Sequence, residues 1–469
     1  MSTNPGRRFV EWFKSQFGLN ATVLRPVPEY SMNPFYWLGA LAVIAFGLQV
    51  LTGLLMLIYY VPTTDQAYSS TLYIIQSVPL GSLLETVHLY GAYAMILLAF
   101  LHLFRGYFVS AQKKPRQMMW VVGMLMGLVT LGFGLTGYLL PWTVVSKSAT
   151  DVSIGMIGFM PAQIGPIVTF LIAGGGSSAA ELTRFFDLHV VVLPAALLSL
   201  LGLKLYMFEA HGASEPVSGA KSTTNVPWFP TVYLYFAMIG SIFIAFILVA
   251  SSLFPLNLPA EYTATAAAGY TPQPEWYFLW VYQLLKFASF EGSGIYYALG
   301  AVTILLAGFV VLPFIDRGTK RSPFSRPLYT TVGLIMVAEL LAMTVWGYLT
   351  PGQVIPDVQA VEIIGVVALV VAGISALSFR ARGRGMSGVK VSGAVHAMAL
   401  PFTNWTVTAV FAIPLIIGSV SLANLVSILS SGTFSSLIVG ANLVVLLGSF
   451  YAMAWMVRSL MVAYRRSQA

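Results

Sequence analysis

The stretch LLETVHLYGAYAMILLAFLHLFRGYF, Leu83 to Phe108, is apolar enough to cross a membrane and carries two histidines, His88 and His102, fourteen residues apart. At about 1.5 Å per residue that interval spans about 21 Å of helix, and fourteen steps of about 100° return the second side chain to within roughly 40° of the first. Both imidazoles therefore leave one face of the helix at two depths of one membrane. An ionisable group in hydrocarbon is costly, so each is either a functional group or bonded across to a neighbouring helix. A second stretch, RFFDLHVVVLPAALLSLLGLKLYMF from Arg184 to Phe208, carries His189 and, fifteen residues on, Lys204. Two helices thus offer matched Lewis bases, His88 with His189 and His102 with Lys204. Two metal macrocycles stacked between the helices would require such pairs.

The composition sets the surroundings of these helices. Hydrophobic residues make up 58% of the 469 residues and charged residues 9%, which excludes a soluble globular protein. With a mean hydropathy of +0.82, the chain reads as an all-α polytopic membrane protein. About ten apolar runs are long enough to span, near 35–60, 83–109, 118–140, 185–208, 229–253, 292–315, 327–349, 359–379, 401–425 and 435–460. Threading ten spans puts most of the Lys and Arg on one side, including Arg7, Arg8, Arg105, Lys113, Lys114, Arg116, Arg317, Lys320, Arg326 and Arg380, and leaves Lys147, Arg184 and Lys286 on the other. This asymmetry predicts a cell-membrane protein with both termini cytoplasmic, and it accounts for the net charge of +8 without nucleic acid. Arg7 to Phe17 reads as an interfacial amphipathic segment. The chain has no cysteine, so it supplies no disulfide, no thiolate ligand, no thioether-linked haem and no cysteine-held iron–sulfur cluster.

Gly39 and Gly53 lie on the first span and Gly123 and Gly137 on the third, each pair again fourteen residues apart. One such pair would mean only close helix packing. Two pairs at the histidine interval suggest gaps that admit the edge of a flat macrocycle at two depths. The first four spans therefore read as a bundle with two haems at its centre. After GYLLPW, Gly137 to Trp142, a polar segment with Ser146, Lys147, Ser148, Thr150 and Asp151 is too wet to span and is expected to roof a pocket on the outer side.

The fourteen-residue histidine pair, GYLLPW, the run LTRFFDLH from Leu182 to His189 with Pro194 beyond it, and PEWYF from Pro274 to Phe278 occur together. In this order and spacing they resemble the cytochrome b subunit of quinol-oxidising cytochrome bc complexes, over roughly residues 30 to 350. LPFIDRGTKRSPFSRP, Leu312 to Pro327, is similar to the family's link between its sixth and seventh spans. The resemblance implies two non-covalently bound haems, b-type or modified, with His88 and His189 holding the one nearer the outer face. It implies quinol as substrate and places Glu275 in the quinol-oxidation site. A carboxylate at the membrane surface between proline and aromatics, held partly protonated by burial, can accept a proton from a quinol hydroxyl; in a loop it can equally be solvated. Tyr277 and Tyr138 are candidate walls of that pocket. A Rieske iron–sulfur protein, an onward electron carrier or terminal oxidase, membrane lipid and a homodimer within a larger complex are the implied partners.

His102 is the expected ligand of the cytoplasmic-side haem, and Arg105 the expected partner of a propionate there. Arg184 is a propionate partner or a helix anchor. The fourth ligand is where this chain departs from the family, which has a histidine fourteen or fifteen residues after the one matched by His189; here Leu203 and Lys204 stand there. A neutral amine can bind iron, so Lys204 is read as that ligand, against a lysine snorkelling to the interface. Glu85 stands where relatives carry an arginine. Glu209 and His211 are candidates for protonating a quinone on the cytoplasmic side, and His396 reads as solvated. The chain divides into an interfacial segment over 1–30, a haem-binding bundle over 31–215, a second cytochrome b-like part over 216–355 with the PEWYF loop, and additional helices over 356–469. Two other readings remain: a proton-coupled transporter without haem, and a haem subunit anchoring a dehydrogenase, which leaves PEWYF unexplained.

Overall fold

The computed structural model describes residues 26–159, 164–175, 178–214 and 225–383. Clustering of the chain separates residues 1–248 and 256–384 from a second unit, residues 249–255 and 385–469. Two short strands, Val27–Pro28 and Asn225–Val226, pair antiparallel. Everything else that is regular is helical, with eight helices long and apolar enough to cross a membrane among the described residues.

The first four spans are α1 (Leu38–Met56), α3 (Gly81–Phe108), α4 (Gln117–Leu139) and a continuous helix from Ser178 to His211. The last is made of α7 (Ser178–Asp187), a π-helical turn at Leu188–Val192, and α8 (Leu193–His211). The expected edges of the fourth span, 185 and 208, fall inside it, because its first turns carry polar residues that hydropathy does not assign to a span. α1 packs along α3, and α4 along α8. Ala45, Phe46, Met95 and Leu197 form the buried cluster between them. Phe46 lies seven residues from both Gly39 and Gly53, and Met95 seven from both His88 and His102. The apolar cluster therefore sits midway between the two levels and separates them.

Beyond α4 the chain turns sharply at Trp142, which is buried with φ +53. That left-handed conformation is unusual for a bulky residue and needs outside support. The backbone of the Glu275 loop provides it: Tyr262 N–H donates to the Trp142 carbonyl at 3.0 Å, and Val144 N–H to the Ala260 carbonyl at 2.9 Å. Thr143 and Ser146 then form a capping box that starts α5 (Val144–Ile157), the expected roof. Two helices not announced by the apolar runs, α2 (Ala67–Ser77) and α6 (Gly165–Ala173), pack against α3 and α7 respectively.

The later spans are α9 (Tyr233–Leu253), α12 (Ile295–Ile315), α13 (Pro327–Leu349) and α14 (Asp357–Gly383). Two short helices, α10 (Ala264–Ala267) and α11 (Leu279–Leu285), lie in the loop between α9 and α12. The loop between α3 and α4 meets the loop between α12 and α13: Asp316 pairs with Lys113 at 3.2 Å and with Arg326, and accepts from Gln112 at 3.2 Å. Lys113, Arg116 and Arg326, which the sequence places among surface charges, are thus buried. The expected spans at 401–425 and 435–460, the Arg7–Phe17 segment and His396 lie outside the described residues.

Candidate haem and quinol sites

His88 and His189 face each other across the bundle, with ring centroids 6.2 Å apart. Each ring is held from behind by a threonine. Thr52 Oγ1 lies 2.8 Å from His88 Nδ1 and also donates to the Leu48 carbonyl at 2.7 Å. Thr136 Oγ1 lies 3.1 Å from His189 Nδ1 and donates to the Gly132 carbonyl at 2.8 Å. A hydroxyl has one proton, and with that proton on the helix carbonyl each Nδ1 is the donor. Each Nε2 then keeps its lone pair, the tautomer that a metal-ligating histidine needs. The threonines escaped the sequence reading, although both stand in an LTG triplet, Leu51–Gly53 and Leu135–Gly137.

The four glycines pair one to one with the four expected ligands. A Cβ on Gly53 would lie 3.4 Å from the His88 ring, and one on Gly137 2.5 Å from the His189 ring. A Cβ on Gly39 would lie 3.0 Å from the His102 ring, and one on Gly123 2.9 Å from Lys204 Nζ. Lys204 therefore points into the bundle instead of snorkelling, while Leu203, the alternative position, is 48% exposed. The π-helical turn explains the register. Pro194 has no amide hydrogen and its ring crowds the carbonyl four residues back, so the turn before it widens; Leu193 N–H bonds the Leu188 carbonyl. A π turn takes up one extra residue, so the fifteen steps from His189 to Lys204 behave as about fourteen α-helical ones. That is the interval between His88 and His102.

The residues fit haem. The 6.2 Å between imidazole centroids lets one metal ion with bonds of about 2 Å reach both rings, and at Gly39, Gly123 and Gly137 an added Cβ would come to 3.0 Å or less from the facing donor. At the second level the His102 ring is buried against Gly39, with its Nδ1 lacking a hydrogen-bond partner among the described residues. Arg105, expected beside a propionate, lies over the Tyr36 ring at 4.0 Å. Arg184 donates to the Leu171 carbonyl at 3.2 Å and sits over the Phe170 ring, contacts that tie it to α6. Glu209 and His211 lie in the last turns of α8, with His211 exposed. Glu85 lies one turn before His88 on α3.

A pocket opens beside the last turns of α4, lined by Gly134, Tyr138, Ala149, Ser153, Glu275 and Tyr277 among others. It brings together the end of α4, the roof and the PEWYF loop, as the motifs require. Tyr277 is 4% exposed because Gly134 makes room for it; a Cβ there would lie 2.8 Å from the phenol oxygen. Burial pushes the Glu275 carboxyl above its ordinary range, partly offset by donors from Tyr93 Oη, at 2.7 Å, and the Trp276 N–H. The Tyr277 phenol is pushed well up for the same reason. Tyr93 also escaped the sequence reading. Lys147, expected in a wet loop, is 4% exposed and pairs with Asp151 and, at 3.4 Å, with Glu181, so it pins the roof to the start of α7.

A family model described as Cytochrome b/b6/petB matches residues 23–212, and one described as Cytochrome b(C-terminal)/b6/petD matches residues 265–369. The cytochrome bc complex cytochrome b subunit of Chlorobaculum thiosulfatiphilum is 34% identical over 345 residues, covering 71% of this chain and 79% of that protein. Cytochrome b of Sulfolobus acidocaldarius is 33% identical over 384 residues, covering 75% and 67%. A solved hyperthermophilic respiratory Complex III chain matches with a TM-score of 0.61 and 26% identity, over 79% of this chain and 94% of its own. The chain belongs to the cytochrome b family of bc-type complexes. It is therefore a haem-binding, multi-pass electron-transport protein, the membrane subunit of a quinol oxidoreductase.

Proposed function

We propose that the chain holds two haems, one between His88 and His189 and one between His102 and Lys204, and that quinol is oxidised beside Glu275 at the outer face. The observation that carries this reading is the pairing of four inward donors with four glycines at two levels. Haem at the two levels, when bound, supplies a path for one electron across the membrane toward a quinone on the cytoplasmic side. Thr52 and Thr136 orient the outer pair of rings, and the four glycines leave room beside the donors.

Glu275 accepts a proton from a quinol hydroxyl and releases it outward, while Tyr138 and Tyr277 wall the pocket and the roof limits water entry. Complete oxidation of quinol releases two electrons and two protons. One electron goes to a separate Rieske-type protein, since this chain has no cysteine to hold a cluster, and from there to an onward carrier or oxidase. The one-sided distribution of Lys and Arg supports cytoplasmic termini in a cell membrane and proton release on the opposite side. As in other bc-type assemblies, the subunit is expected to work as a homodimer among lipid.

The test is haem stoichiometry with quinol turnover. The purified chain is expected to show reduced-minus-oxidised haem bands and two haems per chain; a colourless chain overturns the proposal in favour of a transporter. Glu275→Gln is expected to slow quinol oxidation about 10²-fold or more while retaining both haems. A base works only when deprotonated, so the wild-type rate rises with pH through the raised pKa of Glu275. The glutamine variant should lose that limb.

A further inference from the structure

Tyr93 lies on α3, five residues after His88, which turns it roughly 140° away from the column of His88 and His102. It serves neither level of ligands. Its phenol instead donates to Glu275 Oε2 at 2.7 Å, across 182 residues of sequence. Edge-on contacts with Trp276 and Tyr277, at ring centroid distances of 6.3 and 6.4 Å, fix its direction. Tyr93 is not among the residues that line the pocket, whereas Glu275 is. The phenol thus holds the carboxyl from outside the set of residues that line the pocket.

We propose that Tyr93 is a positioning residue for quinol oxidation: by donating to Glu275 from behind, it favours the carboxylate form and keeps that group at the pocket wall. This inference rests on the reading of Glu275 as the proton acceptor. The titratable groups facing Glu275 are Tyr93 from α3, Tyr138 from α4, and Tyr270 and Tyr277 from its own loop; the roof contributes Ala149 and Ser153 to the pocket. Of these, Tyr93 makes the side-chain hydrogen bond to the carboxyl. A hydrogen bond to a charged acceptor stabilises that form over the neutral acid, so its removal makes Glu275 harder to deprotonate.

The test compares Tyr93→Phe and Glu275→Gln in the assembled complex, with pH–rate profiles of quinol oxidation and an infrared titration of the carboxyl C=O band. Phenylalanine keeps the ring contacts and removes one oxygen, and haem content reports the fold. In Tyr93→Phe the acidic limb is expected to move about one unit to higher pH, so that the rate on that limb falls about tenfold. The infrared band that Glu275→Gln abolishes should titrate later by the same amount. If Glu275→Gln loses activity while Tyr93→Phe matches wild type in both measurements, the inference about Tyr93 is overturned and the role of Glu275 stands. If Glu275→Gln keeps wild-type activity and profile, the reading of Glu275 fails and takes the inference with it.

Discussion

Thr52 and Thr136 show how one hydroxyl decides what an imidazole can do. Each lies within hydrogen-bond distance of a carbonyl of its own helix and of a histidine Nδ1, and with that nitrogen as donor the far nitrogen of the ring keeps its lone pair. Thr136→Val removes the acceptor behind His189 without changing side-chain volume much. Haem affinity at the outer level is expected to drop about 10- to 100-fold, read by haem titration, with the second level unaffected. On the proposed reading the second level has a different chemistry, one imidazole facing one amine. Replacing Lys204 with leucine should alter or remove the signal of one haem in optical and electron paramagnetic resonance spectra. Lys204→His should restore a bis-imidazole signal. An unchanged spectrum in Lys204→Leu would remove lysine from the ligand set.

Among the elements, the roof is held by a buried charge pair. Lys147 and Glu181 are both nearly inaccessible, at 5% and 6% of their side-chain surface, and their pairing joins α5 to α7. Lys147→Met would leave Glu181 buried with its charge partner gone. The expected loss is roughly 3 to 5 kcal/mol, seen as a lower thermal transition in detergent, together with a raised KM for quinol because the pocket ceiling moves. The π-helical turn is the second element with a function of its own. It adjusts the phase of α8 so that a residue fifteen places after His189 reaches the bundle centre beside Gly123.

For the whole molecule, the Asp316 cluster joins the haem bundle to the later spans. Lys113 and Arg326 converge on one carboxylate, with Gln112 and Ser110 completing the set, and each of the three charged groups is at most 9% exposed. Asp316→Asn would leave two buried cations without their anion. Destabilisation of roughly 3 to 5 kcal/mol is expected, measured by thermal unfolding. Because the cluster is buried, raising salt should change that value little, unlike the behaviour of a surface pair.

Residue order alone settled the fold class, the eight described spans to within a few positions at most of their ends, and the two levels of donors. Those features are local: hydropathy marks a span, and the interval between His88 and His102 follows from the pitch of a single helix. GYLLPW, LTRFFDLH and PEWYF likewise carried the family in short runs. Tertiary structure alone decided that Lys113 and Arg326 are buried, that Arg184 bonds the Leu171 carbonyl of α6, that Lys204 and not Leu203 faces inward, and that Tyr93 reaches Glu275. In each case the deciding contact joins groups whose meeting depends on how separate helices and loops pack. Hydropathy assigns a lysine or an arginine to the surface by default, and only the position of a distant carboxylate, carbonyl or glycine reverses that assignment.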